Sequence, residues 1–141
     1  MTWYQFKKTQ TAAAAVKVEV DRIQLSVQSY DAAHHATRAS AALDATRRHL
    51  RNTAWPDVAD SYEEFRRSVL TLQQLNIPEL RRFDAEIEDA NKYIGRLCER
   101  IEIQVAKSAV SIDPAKTITM LRRHGELTGA MEIALQKGLV S

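Results

Sequence analysis

The sequence predicts an all-α fold: a mostly antiparallel four-helix bundle, one domain over residues 1–141, with an overlong N-terminal helix. Three observations predict it. Leu80, Phe83, Ile87, Ala90, Ile94, Leu97 and Ile101 recur at steps of three and four without a polar interruption. That spacing is the seam of a helix packed nearly along its neighbours. No segment alternates apolar and polar residues convincingly enough for a strand, which sets aside the parallel-sheet enzyme folds. Finally, only 4 Gly and 3 Pro interrupt 141 residues, and each proline falls where a helix start is expected.

Composition supports a folded chain. Hydrophobic residues make up 45% and charged residues 27%, both ordinary for a globular domain and unlike disorder. The formal net charge of +2 is too small a bias to imply nucleic acid by itself. Cys98 is the sole cysteine, so no internal disulfide forms; beside the seam it reads as a reduced, half-buried thiol. The opening residues contain no apolar run resembling a secretory signal, and no stretch approaches the roughly 20 apolar residues of a membrane span. The expected location is the cytoplasm.

Helices are expected at about 9–52, 56–75, 78–110 and 114–138. Ahead of the first, Trp3, Tyr4 and Phe6 beside Lys7 and Lys8 read as a short arm capping the bundle, with a membrane-surface or partner-binding tip as the rival. Thr9 or Thr11 is the expected cap of the first helix. Val16, Val20, Ile23, Val27 and Tyr30 follow in heptad spacing, while Val18, Leu25, Ala32, Ala36, Ala39, Leu43 and Leu50 fall on the opposite side. Two stripes are one more than an edge helix needs. Either this helix is central, or one stripe faces another subunit, or the chain breaks near Ser29–Asp31. Unbroken, it spans about 65 Å at 1.5 Å per residue, more than the second helix can cover. With the heptad stripe turned to the chain's own bundle, Val18 and Leu25 become the expected contact to a second copy.

His34 and His35 sit within the first helix, with Asp31 one turn before His34. Di-iron bundles require carboxylate-x-x-His pairs on two helices plus further glutamates. One Asp-x-x-His is not enough, so no metal and no cofactor are expected. Arg47, Arg48 and Arg51 suit the negative end of the helix dipole, and a hairpin near Trp55 is expected to bring them level with Asp60, Glu63 and Glu64.

Pro56 opens the second helix, with a stripe of Val58, Tyr62, Phe65, Val69 and Leu72. Asn76-Ile77-Pro78-Glu79 reads as a capping box that starts a separate third helix, in preference to one kinked helix from Pro56 to Val110. Asp113-Pro114 caps and opens the fourth helix, whose face carries Met120, Leu121, His124, Leu127, Met131, Leu135 and Leu139. Gly125 and Gly129 are expected to allow close approach of the Ala-rich first helix, and Gly138 to end the fourth.

The chemistry of common enzyme motifs is missing: no Gly-rich phosphate loop, no His-Glu-x-x-His, no nucleophile elbow. His34, Gln104 and His124 are core polar candidates, a type that more often sets helix register than catalyses. The expected function is a non-enzymatic interaction, adaptor or scaffold module, self-associating as a dimer or pairing with another helical protein. Its candidate surface is Val18, Leu25, Val16, Val20, Ile23 and Val27. The alternative is a nucleic-acid-associated accessory protein using Arg38, Arg47, Arg48, Arg51, Arg66 and Arg67 as a basic patch.

Overall fold

A computed structural model describes residues 3–107 and 112–140, with side chains described for 13–24, 27–107 and 112–138. Four α-helices carry the chain: α1 (Trp3–Arg51), α2 (Trp55–Gln74), α3 (Asp84–Lys107) and α4 (Pro114–Val140). No strand occurs among the described residues. The chain divides into two units, Met1–Asp31 and Ala32–Ser141. The first consists, where described, of the N-terminal part of α1; the second holds the remainder of α1 and the other three helices.

Helix α1 starts earlier than expected. Thr9 and Thr11 are not caps but lie inside it, and Trp3, Tyr4 and Phe6 belong to helical backbone, their side chains outside the described residues. The physical reason is that nothing stops the helix: residues 3–51 contain neither Gly nor Pro, and Ala12–Ala15 are the strongest helix formers available. Ser29–Asp31 is helical, with no break.

Within the second unit the helices run alternately up and down. Thr46 Oγ1 donates to Ser61 Oγ at 2.8 Å, tying α1 to α2. Cys98 Sγ points at the Ala59 carbonyl, and Gln73 Nε2 donates to Asp84 at 3.2 Å, so α2 and α3 pair antiparallel. Tyr93 OH donates to Thr117 between α3 and α4, and Ser40 Oγ donates to Glu132 at 2.8 Å between α1 and α4. The four helices thus close into a ring.

The seam residues from Leu80 to Ile101 are all buried, as are Val58, Tyr62, Phe65, Val69 and Leu72 of α2. Ala32, Ala36, Ala39, Leu43 and Leu50 bury the C-terminal stripe of α1 against them. Each large apolar side chain so buried contributes about 1.5–3 kcal/mol. On α4, Leu121, His124, Leu127 and Met131 are buried, Met120 and Leu135 are half-buried, and Leu139 is outside the described side chains.

Three local expectations are corrected. Asn76 does not cap the next helix: it ends α2 in the left-handed region, at φ 55°, which Asn tolerates better than most residues. The residue before a proline is pushed toward extended backbone, so Ile77, at φ −76° and ψ 120°, becomes the cap without any side-chain bond. Second, Pro78–Phe83 is a 3₁₀ helix and α3 proper begins at Asp84. The break at Asn76 and Ile77 makes α2 and α3 separate helices and excludes the kinked alternative. Residues 108–110, expected at the end of α3, lie outside the described residues. Third, Gly138 does not end α4, which continues to Val140. A Cβ at position 138 would meet the Glu79 carboxylate at 3.1 Å, so the glycine admits the 3₁₀ segment instead. Asp113 behaves as expected: its Oδ1 accepts from Ala115 N–H at 3.0 Å and caps α4.

Candidate functional site

In the first unit the apolar stripe of α1 is open to solvent. Val16 is 63% exposed, Val20 46%, Ile23 57%, Val27 55% and Tyr30 74%. Val18 is exposed as well, and the Leu25 side chain lies outside the described residues. Between the apolar positions stand Lys17, Glu19, Asp21 and Arg22, with Arg22 and Glu19 paired at 3.6 Å on the surface. The steps of four, three, four and three place Val20 and Val27 at one core position of a heptad and Val16, Ile23 and Tyr30 at the other.

The basic residues do not gather into one bare patch. Arg38 meets Glu64 across the hairpin at 3.5 Å, and Glu63 takes both Arg66 at 3.3 Å and Arg67 at 3.9 Å. Arg47 bonds Asp44 on its own helix at 3.0 Å rather than a carboxylate of α2. The expectation that Arg47, Arg48 and Arg51 pair with Asp60, Glu63 and Glu64 is thus corrected: Arg48 and Arg51 form no ion pair among the described residues. They leave α1 in its last turn, where the chain is already turning, while Arg38 lies far enough back to face α2.

The two histidines chosen as core polar positions have different fates. His34 is exposed, in correction of the sequence reading. It keeps the phase of Val16, Val20, Ile23, Val27 and Tyr30, whereas the buried face of α1 is Ala32, Ala36 and Ala39. It packs edge-on against His35, and no group of three or more His, Cys, Asp or Glu among the described residues is arranged to hold a metal ion.

His124 is buried, only 2% exposed, and sits in an aromatic cage. Its ring stacks on Phe65 at 5.7 Å and meets Tyr62 and Tyr93 at 5.5 and 6.0 Å. Nδ1 shares a hydrogen bond with Tyr62 OH at 2.5 Å, joining α4 to α2 across the core. Burial, with a smaller push from the Arg123 guanidinium, lowers the imidazole to about 4. Burial, helped by Tyr93, drives the Tyr62 phenol far above its ordinary value. Near neutral pH the pair is therefore uncharged, and its phenol is not a ready base. A cavity of about 340 Å³ lined by Glu86, Asp89, Met120 and Arg123 lies beside the ring.

The cage was missed because Tyr62 and Phe65 read only as apolar members of a stripe, and Tyr93 falls off the seam of α3. A tyrosine within a buried stripe is itself a signal, since its hydroxyl demands a partner. Thr46 and Ser61 are a second buried polar pair that apolar periodicity alone does not mark. Gln104, the third core polar candidate, is half-buried, and its Oε1 has no hydrogen-bond partner among the described residues. Cys98 is half-buried; burial, with Glu63 nearby, raises its thiol to about 11.

No described helix is long and apolar enough to cross a membrane. Comparison of the chain with family models, with curated proteins and with solved structures gives no match.

Proposed function

We propose that the chain is a non-enzymatic helical interaction module that self-associates through the heptad stripe of its N-terminal unit. The observation that carries the reading is the exposure of Val16, Val20, Ile23, Val27 and Tyr30, from 46% to 74%, at coiled-coil spacing. Each such side chain removed from water contributes about 1.5–3 kcal/mol. Two copies supply two sets of five, which together rival the roughly 4–15 kcal/mol that association costs in lost freedom. A self-complementary stripe favours a symmetric pair; another amphipathic helix of similar pattern is the other partner it fits.

Because the heptad stripe is exposed, the test falls on it rather than on Val18 and Leu25. Light scattering coupled to size exclusion at tens of micromolar is expected to give a multiple of 16.0 kDa for the native chain. Val20→Glu/Val27→Glu is expected to reduce it to a monomer with unchanged far-UV circular dichroism. A native mass of 16.0 kDa at that concentration sinks self-association.

A nucleic-acid role is the second reading, favoured only by Arg48 and Arg51, which form no ion pair among the described residues. Four of the six arginines of the patch are already engaged with carboxylates. A complex with RNA or DNA that weakens steeply with salt and is lost in Arg48→Glu/Arg51→Glu would promote it.

A further inference from the structure

Lys17 and Asp31 flank the open stripe of the N-terminal unit, one near each end. Lys17 is exposed and Asp31 half-buried. Each directly follows a core residue of one kind, Val16 and Tyr30, so both lie on the same flank of the stripe. Neither forms an ion pair among the described residues, whereas Glu19, on the other flank, is already held by Arg22 at 3.6 Å. Along α1 the two are about 21 Å apart at 1.5 Å per residue, too far to pair within one chain.

Flanking charges of this kind set the direction in which two paired helices run. In a parallel pair each core residue meets its own copy, Tyr30 on Tyr30, and each flank meets the opposite flank of the next heptad. Glu19 then faces Gln24, and neither Lys17 nor Asp31 faces a charge. β-Branched side chains at both core positions, Val20 and Val27 at one, Val16 and Ile23 at the other, also disfavour two parallel strands. In an antiparallel pair the two core positions face each other and like flanks meet. A twofold axis midway between Ile23 and Val27 sets Val20 against the partner's Tyr30 and Ile23 against the partner's Val27, each layer occurring twice. The tyrosine ring then packs on a small side chain instead of on its copy. The same register brings Lys17 level with the partner's Asp31 to within roughly 3 Å along the axis, again twice. Slipping by one heptad either way loses these ion pairs and leaves Tyr30 or Val20 without a partner in the stripe.

We infer, resting on the self-association proposed above, that the partner of the stripe is a second copy of this chain running antiparallel, with Lys17–Asp31 pairs holding the register at both ends. Charge complementarity chooses a second copy over another amphipathic helix: under a twofold axis each chain offers a cation where the other offers a carboxylate.

Sedimentation equilibrium of the full chain tests the direction. Lys17→Glu and Asp31→Lys are each expected to weaken dimerisation by about tenfold, and the double variant, with the charges exchanged, to return to within about threefold of the native chain. Within one chain the two sites lie well beyond the screening length of about 8 Å at physiological salt, so coupling between them is intermolecular. In a Cys98→Ala background, Val20→Cys and Tyr30→Cys chains are expected to form a disulfide when mixed, and Tyr30→Cys chains to form none with one another. A native chain that stays monomeric sinks the antiparallel pair together with the proposed function. A native dimer in which the two charge changes simply add, in which Tyr30→Cys chains oxidise with one another, or in which the mixed chains form no disulfide overturns the antiparallel pair alone and leaves self-association standing.

Discussion

Acidification is expected to weaken the bundle through one imidazole, His124. In the unfolded chain this group titrates near its ordinary value of 6.5, whereas burial in the aromatic cage lowers it to about 4. Between those values the unfolded chain binds a proton that the native state refuses, so stability falls as the pH falls. The contribution is fully present above the unfolded value. From about pH 7.5 to about pH 5 the loss is worth about 2 kcal/mol, and toward pH 4 it approaches about 3 kcal/mol. Because the ring is almost wholly buried, solvent screening does little to reduce this. Carboxylates add their own acid sensitivity, so the measurement is a difference. Urea unfolding of the native chain and of His124→Gln at both pH values isolates the imidazole, since glutamine stays neutral throughout. The variant is expected to be less stable near neutrality, having lost ring stacking on Phe65, but to lose about 2 kcal/mol less than the native chain on acidification. Parallel pH dependence of the two proteins would refute the reasoning. So would a native imidazole that titrates near 6.5 by nuclear magnetic resonance.

Other perturbations follow from single contacts. Asn76, at φ 55°, is expected to accept glycine without loss, whereas Asn76→Val should cost about 1–2 kcal/mol in urea unfolding. Thr46→Val keeps the shape of a fully buried side chain but removes the hydroxyl that joins the Ala42 carbonyl to Ser61; a loss of about 1 kcal/mol is expected, and no loss would mean that the pair is not formed. Cys98, with its thiol raised to about 11, should react with iodoacetamide at mildly alkaline pH only after urea unfolding. Rapid labelling of the native chain would show that the thiol is neither shielded nor protonated.

Apolar periodicity determined the fold by itself. The seam from Leu80 to Ile101 and the stripe from Val58 to Leu72 are buried where their spacing puts them, because a helix side chain repeats on one face whatever surrounds it. Asp113-Pro114 was equally legible, since a cap acts through adjacent backbone. Position along the chain does not say which face finds a neighbour. The two stripes of α1 look alike in the sequence, yet Ala32 to Leu50 is covered and Val16 to Tyr30 is open. His34 and His124 both read as core residues, and only the second meets a cage. That cage takes Tyr62 and Phe65 from α2, Tyr93 from α3 and the ring itself from α4. Gly125 likewise looked like a helix contact until a guanidinium from α1 occupied its niche. Local rules act within a few residues along the chain. Burial, charge pairing and cavities arise between segments distant in sequence, and the tertiary arrangement alone brings them together.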